Sequence, residues 1–170
     1  MRGKMLFLIF FSTWQILAGQ ITDPSTRGFT IDLDSTSFKF AGNQMLTLDG
    51  LIPTKSPIKA TMAFWKWPIE IPEAEWQTNA ELKVTGMMVI SDQEGEHNIS
   101  STPIEIDGLK GYEAIGQIDD SGETTYLAYS TVLHFKGGYI WIQASCYGDF
   151  KNNLKQFKQI ARTYKRTGSN

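Results

Sequence analysis

The chain has 170 residues, of which 41% are hydrophobic and 20% charged, with 16 basic residues against 18 acidic ones. Those figures describe one ordinary globular domain with a real core and exclude a disordered chain or a uniformly basic nucleic-acid binder. The single cysteine, Cys146, excludes an internal disulfide, so stability must come from packing.

The first element is a leader. Arg2 and Lys4 form a basic head, Met5-Leu6-Phe7-Leu8-Ile9-Phe10-Phe11 an apolar run, and Ala18-Gly19-Gln20 a small-residue end. This is the layout of a secretory signal peptide over residues 1–20. Ser12, Thr13 and Gln15 interrupt the run, which is short of the ~20 apolar residues a spanning helix needs. Gln20 stands where a lipoprotein signal would require Cys. An exported domain, periplasmic or extracellular, is therefore expected, with no membrane contact after cleavage.

Residues 21–28 read as a loose lead-in. Phe29-Thr30-Ile31-Asp32-Leu33 alternates like a half-buried strand, Ser37-Phe38-Lys39-Phe40 follows, and Ala41-Gly42-Asn43 supplies a turn. Met45-Leu46-Thr47-Leu48 is a further short strand, and residues 51–57, with two prolines, a loop. Residues 58–65 alternate well. Ile58, Ala60, Met62 and Phe64 point one way, and Lys59, Thr61, Ala63 and Trp65 the other. Trp67-Pro68 ends that strand.

Pro72 opens a helix with Glu73 and Glu75 in its first turn, where a missing N–H and a positive dipole end suit them. Trp76, Ala80, Val84 and Met87 recur at helical spacing. Val84-Thr85-Gly86 is weak helix material, so a break or a switch to strand is expected there. Residues 92–98 read as a polar loop.

The second half is β-rich. Ile104-Glu105-Ile106 forms a strand closed by Asp107-Gly108, residues 112–118 a second, residues 119–123 a turn, and residues 124–135 a third. Leu127, Tyr129, Leu133 and Phe135 share one face of the third. Gly137-Gly138 is expected to be the two-residue hairpin turn, both residues with positive φ. Residues 139–146 return as the fourth strand, with Ile140, Ile142, Ala144 and Cys146 on one side and Tyr139, Trp141 and Gln143 on the other. Both faces are apolar, which places this pair mid-sheet with cover on both sides. In that context Cys146 reads as a buried thiol.

Asp149 is the expected N-cap of a last helix. Phe150, Leu154, Phe157, Ala161 and Tyr164 step by four and three, and Lys151, Lys155, Lys158, Arg162 and Lys165 repeat those steps one residue later. From Phe150 onward the chain has six basic residues and no acidic one, so a basic helix lying on an acidic body is expected. The order of strands, helix, four-strand meander and helix predicts an α+β fold, an antiparallel β-sheet flanked by helices in an α/β/α sandwich.

The stretch Ile104-Glu105-Ile106-Asp107-Gly108-Leu109-Lys110-Gly111-Tyr112-Glu113-Ala114 and the closing residues 154–165 resemble small exported bacterial proteins of the PsbP-like superfamily. That superfamily includes extrinsic photosystem II subunits and a Ran-binding factor. The resemblance covers residues 100–165 well and 29–92 in element order. It implies a single domain over residues 29–166, an antiparallel sheet between helices, and accessory or binding roles. Its motifs are structural and transfer no catalytic residue.

For function, the residues point first to a non-enzymatic accessory or binding protein of the cell envelope, acting on an unknown protein or small ligand without a cofactor. Trp65 and Trp67 are the binding candidates. Exposed, they would grip a sugar, peptide or lipid; under a helix, they would be core. The stripe of Lys151, Lys155, Lys158, Arg162 and Lys165 could contact an anionic surface, or could be a solvated flank whose stems cover the core edge. A metal-dependent hydrolase would have to use His97 with Asp92, Glu94 and Glu96, which lack metal-ligand spacing. His134 and Cys146, expected ~16 Å apart on neighbouring strands, are too distant for a nucleophile pair.

Overall fold

The structure is a computed structural model and describes residues 28–34, 36, 38–40, 45–48 and 60–167. The leader over 1–20, most of the lead-in, the turn over 41–43 and the loop over 51–57 lie outside the described residues. The strands are β1 (Phe29–Thr30), β2 (Phe38–Phe40), β3 (Met45–Leu48), β4 (Ala60–Trp67), β5 (Glu96–Ile106), β6 (Leu109–Asp120), β7 (Glu123–Phe135), β8 (Gly138–Cys146) and β9 (Lys165–Arg166). The helices are α1 (Trp76–Ser91), entered through a 3₁₀ turn at Glu73–Glu75, and α2 (Phe150–Arg162). Strands β2 to β8 form one antiparallel sheet in the order β2-β3-β4-β8-β7-β6-β5, and β1 pairs with β9. The fold is α+β, with a helix on each face of the sheet.

Side-chain alternation decides which helix each strand residue meets. On one face, Met62, Phe64, Leu127, Tyr129, Leu133, Ile140 and Ile142 pack with Phe157, Ile160 and Ala161 of α2. On the other, Ala114, Ile118, Ala128 and Val132 pack with Ala80, Val84 and Met88 of α1. The β7 and β8 faces fall as their alternation predicts, and Cys146 is a buried free thiol.

Several boundaries differ from the expectation. Helix α1 does not break at Val84-Thr85-Gly86. Val84 is fully buried, and the side chains of Val84 and Met88 fill the space where a Cβ on Gly116 would stand, so close packing on the sheet outweighs poor propensity. Strand β5 begins at Glu96, inside the expected polar loop, and runs eleven residues. Its first five residues are all exposed, so no alternation marks them.

The β7–β8 turn is Lys136-Gly137 rather than Gly137-Gly138: Gly137 has φ 88°, and Gly138 already pairs with Phe135. Gly138 answers a different demand, because a Cβ there would run into the carbonyl of Trp67. The register therefore shifts by two, setting Cys146 opposite Leu127 and His134 opposite Tyr139. The other two hairpins turn at Asp107-Gly108 (φ 53° and 72°) and Ser121-Gly122 (φ 53° and 85°), with the paired positive φ of tight two-residue turns. Asp149 sits at the N-cap of α2 in a left-handed conformation (φ 47°, ψ 41°) without a side-chain cap; its carboxylate accepts from Asn152 Nδ2 at 3.0 Å instead.

Candidate functional site

The two faces of the sheet are covered unequally. Helix α1 packs on β5, β6 and β7. Beyond it on the same face lie β8 and β4, over which the described residues place no helix. Trp65 is paired with Trp141 across these strands, and Trp67 with Tyr139. The Trp67 and Tyr139 rings stack with centroids 6.4 Å apart. Trp65, Trp67 and Trp141 are half-buried, while Tyr139 is buried.

Lys83 reaches this ledge from the flank of α1. Its Nζ lies 4.4 Å from the Trp141 ring centroid, 5.3 Å from Tyr139 and 5.5 Å from Trp67, and donates to the Tyr139 hydroxyl at 3.1 Å. Three ring faces thus share one ammonium, whose attraction to their π-systems orders the flat aromatic surface. The Trp141 indole N–H donates to Ser130 Oγ at 3.1 Å, which fixes that ring. At the ledge's end His134 stacks on Trp76, with centroids 4.2 Å apart and planes 4° from parallel. Burial depresses the His134 pKa to about 4, so the ring is neutral near pH 7.

A second polar cluster lies under α2. Glu113 is buried on β6; its carboxylate meets Lys158 Nζ at 2.8 Å and Arg162 Nη1 at 3.4 Å, and accepts from the Tyr129 hydroxyl at 2.9 Å. Thr131 Oγ1 lies 2.8 Å from that hydroxyl. Complete burial, then the Glu113 charge, hold the Tyr129 pKa well above the ordinary phenol value. This cluster is fully partnered and solves a packing problem: a buried carboxylate stays tolerable when cations and hydrogen bonds surround it.

The five basic residues differ in their surroundings, although Arg162 stays half exposed. Lys158 and Arg162 turn onto Glu113, Lys151 and Lys155 are exposed, and Lys165 lies in β9. His97 is exposed on β5, and among the described residues no three His, Cys, Asp or Glu side chains gather to hold a metal. His134 faces α1 and Cys146 faces α2. The register puts them seven positions apart, ~23 Å along the strands, beyond any proton transfer. Burial also pushes the Cys146 thiol up to about 12, which removes its nucleophilic form near neutrality.

Sequence reasoning placed Trp65 and Trp67 on one face of their strand, did not join Trp141 to them, and missed Lys83. It also missed Glu113. The signal for Glu113 was available in Lys158 and Arg162, four apart on a helix whose other stripe is core.

No protein-family model matches the sequence, and no curated protein matches it. Solved structures do. LpqN, involved in cell envelope biogenesis of Mycobacterium tuberculosis, superposes with a TM-score of 0.54 at 15% identity, over 82% of this chain and 84% of that one. Cyanobacterial PsbP (CyanoP) from Synechocystis sp. PCC 6803 has a TM-score of 0.49 at 13% identity, over 88% of this chain and 98% of that one. The chain shares its overall fold with LpqN. At these identities the likeness is one of fold alone, and it brings no site residue with it.

Proposed function

We propose that this is an exported, non-enzymatic accessory protein of the cell envelope that binds through the aromatic ledge on β4 and β8. The observation that carries the reading is Trp65, Trp67 and Trp141 grouped around Lys83 on the half of the sheet beside α1. Aromatic surface of this kind, half-buried and with Trp141 and Tyr139 fixed by hydrogen bonds, binds ligands at little entropic cost. The leader-like residues 1–20 and the shared fold with an envelope-biogenesis protein support the compartment.

The test is a pull-down from envelope extract with the wild-type protein and with Trp65→Ala and Trp67→Ala, each checked for folding by its melting temperature. A partner captured by the wild type and lost by a folded variant is the expected result. Capture unchanged by both variants removes the ledge from the binding surface. Variants that unfold make these tryptophans core.

A further inference from the structure

The aromatic ledge has a floor and a wall. Trp67 and Tyr139 form the first row of the floor, Trp65 and Trp141 the second, Ala63 and Gln143 the third, and Thr61 and Ser145 the fourth. Successive rows on one face of a strand pair are roughly 7 Å apart, so the floor runs about 20 Å from indoles to hydroxyls. Thr61, Gln143 and Ser145 are half-buried, and the Thr61 and Ser145 hydroxyls lie 3.5 Å apart. The wall is α1. A helix is about 10 Å across, so α1 stands clear of the floor beside it.

Lys83 stands where floor and wall meet, and its charge is unmatched. The other charged residue of α1, Glu81, accepts from Gln77 Nε2 at 3.0 Å and from the Ser101 hydroxyl, toward β5. Among the described residues no carboxylate comes within ion-pairing distance of Lys83 Nζ. Rings attract an ammonium without neutralising it. One of its protons goes to the Tyr139 hydroxyl, which leaves the others for an outside acceptor.

These features select among ligands. Strand β8 is hydrogen-bonded on both sides along its length, to β4 and to β7, so a peptide laid on the floor finds no main-chain partner there. The wall holds a flat bilayer off the floor. A bare acyl chain would strip water from Thr61, Gln143 and Ser145 and return no hydrogen bond. A sugar ring suits each part. Its C–H face is apolar and lies on an indole, and its rim of hydroxyls meets hydroxyl and amide groups. The unmatched ammonium calls for an anion on that ring.

We propose that the ledge binds an acidic saccharide, a chain of pyranose rings bearing carboxylates, with a ring seated on the β4 tryptophans and a carboxylate paired with Lys83. This rests on the ledge being the binding surface, and adds the class of its ligand. Trp65 lies directly across from Trp141, one strand spacing or about 5 Å away, so a ring on Trp65 sits beside the ammonium that Trp141 carries. Lys83 sets the preference for the acid over its neutral counterpart. The tryptophans supply the binding that both share.

The experiment titrates the purified protein with tetragalacturonate, with its methyl ester and with tetraglutamate, followed by tryptophan fluorescence and calorimetry. The wild type should bind the acid saturably and about tenfold more tightly than the ester, the worth of one charge-assisted contact. Lys83→Met should lower the affinity for the acid to that for the ester and leave the ester unchanged. Lys83→Arg should keep the preference, and added salt should erode it. Trp65→Ala should weaken acid and ester alike; if it unfolds on heating below the wild type's range, the Lys83 variants decide by themselves. No saturable binding of tetragalacturonate overturns the proposal, while the pull-down with Trp65→Ala and Trp67→Ala still judges the ledge itself. Equal affinity for acid and ester overturns it too, as does a preference that survives Lys83→Met. Tetraglutamate bound as tightly as the saccharide reduces the site to a contact for any anion, and overturns it as well.

Discussion

The two faces of this sheet use the same kind of aromatic and aliphatic side chains to different ends. Under α2 they are sealed: Phe157 is fully buried, its ring 5.7 Å from Phe38 and 6.0 Å from Tyr129, and even the one carboxylate there is neutralised by cations from the helix. On the α1 side the helix covers the β5–β7 half and leaves Trp65, Trp67 and Trp141 half-buried beside Lys83. The contrast teaches that apolar composition does not separate sealed core from half-buried surface; helix placement does. One face is built to hold the molecule together and the other has area to spare.

That contrast can be broken most forcefully from the sealed side. Phe157→Ala should cost about 4 kcal/mol of unfolding free energy, because the cavity it leaves is bounded by rigid strands. Urea denaturation followed by circular dichroism measures it, and a loss as small as that of an exposed residue would show the α2 face to be loosely packed.

A middle-sized effect tests the boundary between the faces, where His134 lies against Trp76. The folded pKa of His134, about 4, lies below the unfolded value of about 6.5. The unfolded chain therefore binds the extra proton first. The stabilisation is fully present above pH 6.5, falls as the pH drops toward 4, and is then exhausted. About 3 kcal/mol of the acid-induced loss should come from this ring. The stability difference between wild type and His134→Phe, measured from pH 7 to pH 4, should shrink by that amount; a difference constant with pH contradicts the assignment.

The smallest effect sharpens the comparison from the open side. Lys83→Met keeps the apolar stem and removes the ammonium shared by three rings, which should cost no more than about 1 kcal/mol. A far larger loss in the same denaturation assay would make the ledge part of the core.

Much of this was written in the sequence, and unevenly so. Helix α2 and strands β7 and β8 were legible because each meets solvent or core in a regular period: Leu154, Phe157 and Ala161 recur at helical steps, and Ile140, Ile142 and Ala144 at every second residue. The start of β5 was not legible, since an edge strand exposed on both faces has no period to show. The persistence of α1 was hidden because Leu82, Val89 and Ile90 stay exposed on its outer side while Val84 is buried, so the apolar pattern runs around the helix. The slip of the last hairpin has a single cause. Gly138 looks like a turn residue and is instead a strand residue pressed against the Trp67 carbonyl. Lys83 and Glu113 owe their roles to partners on elements distant in sequence, which no local pattern reports.

The pairing of β1 with β9 reaches beyond local architecture. Phe29 lies opposite Arg166, Thr167 N–H donates to the Gly28 carbonyl at 3.1 Å, and Arg166 is latched to Asp107 at 2.7 Å. The segment entering the body and the segment leaving it thus run side by side through one corner. Two backbone strands, one further hydrogen bond and an ion pair to the β5–β6 turn bind these two segments together, so strain applied to one is carried directly into the other.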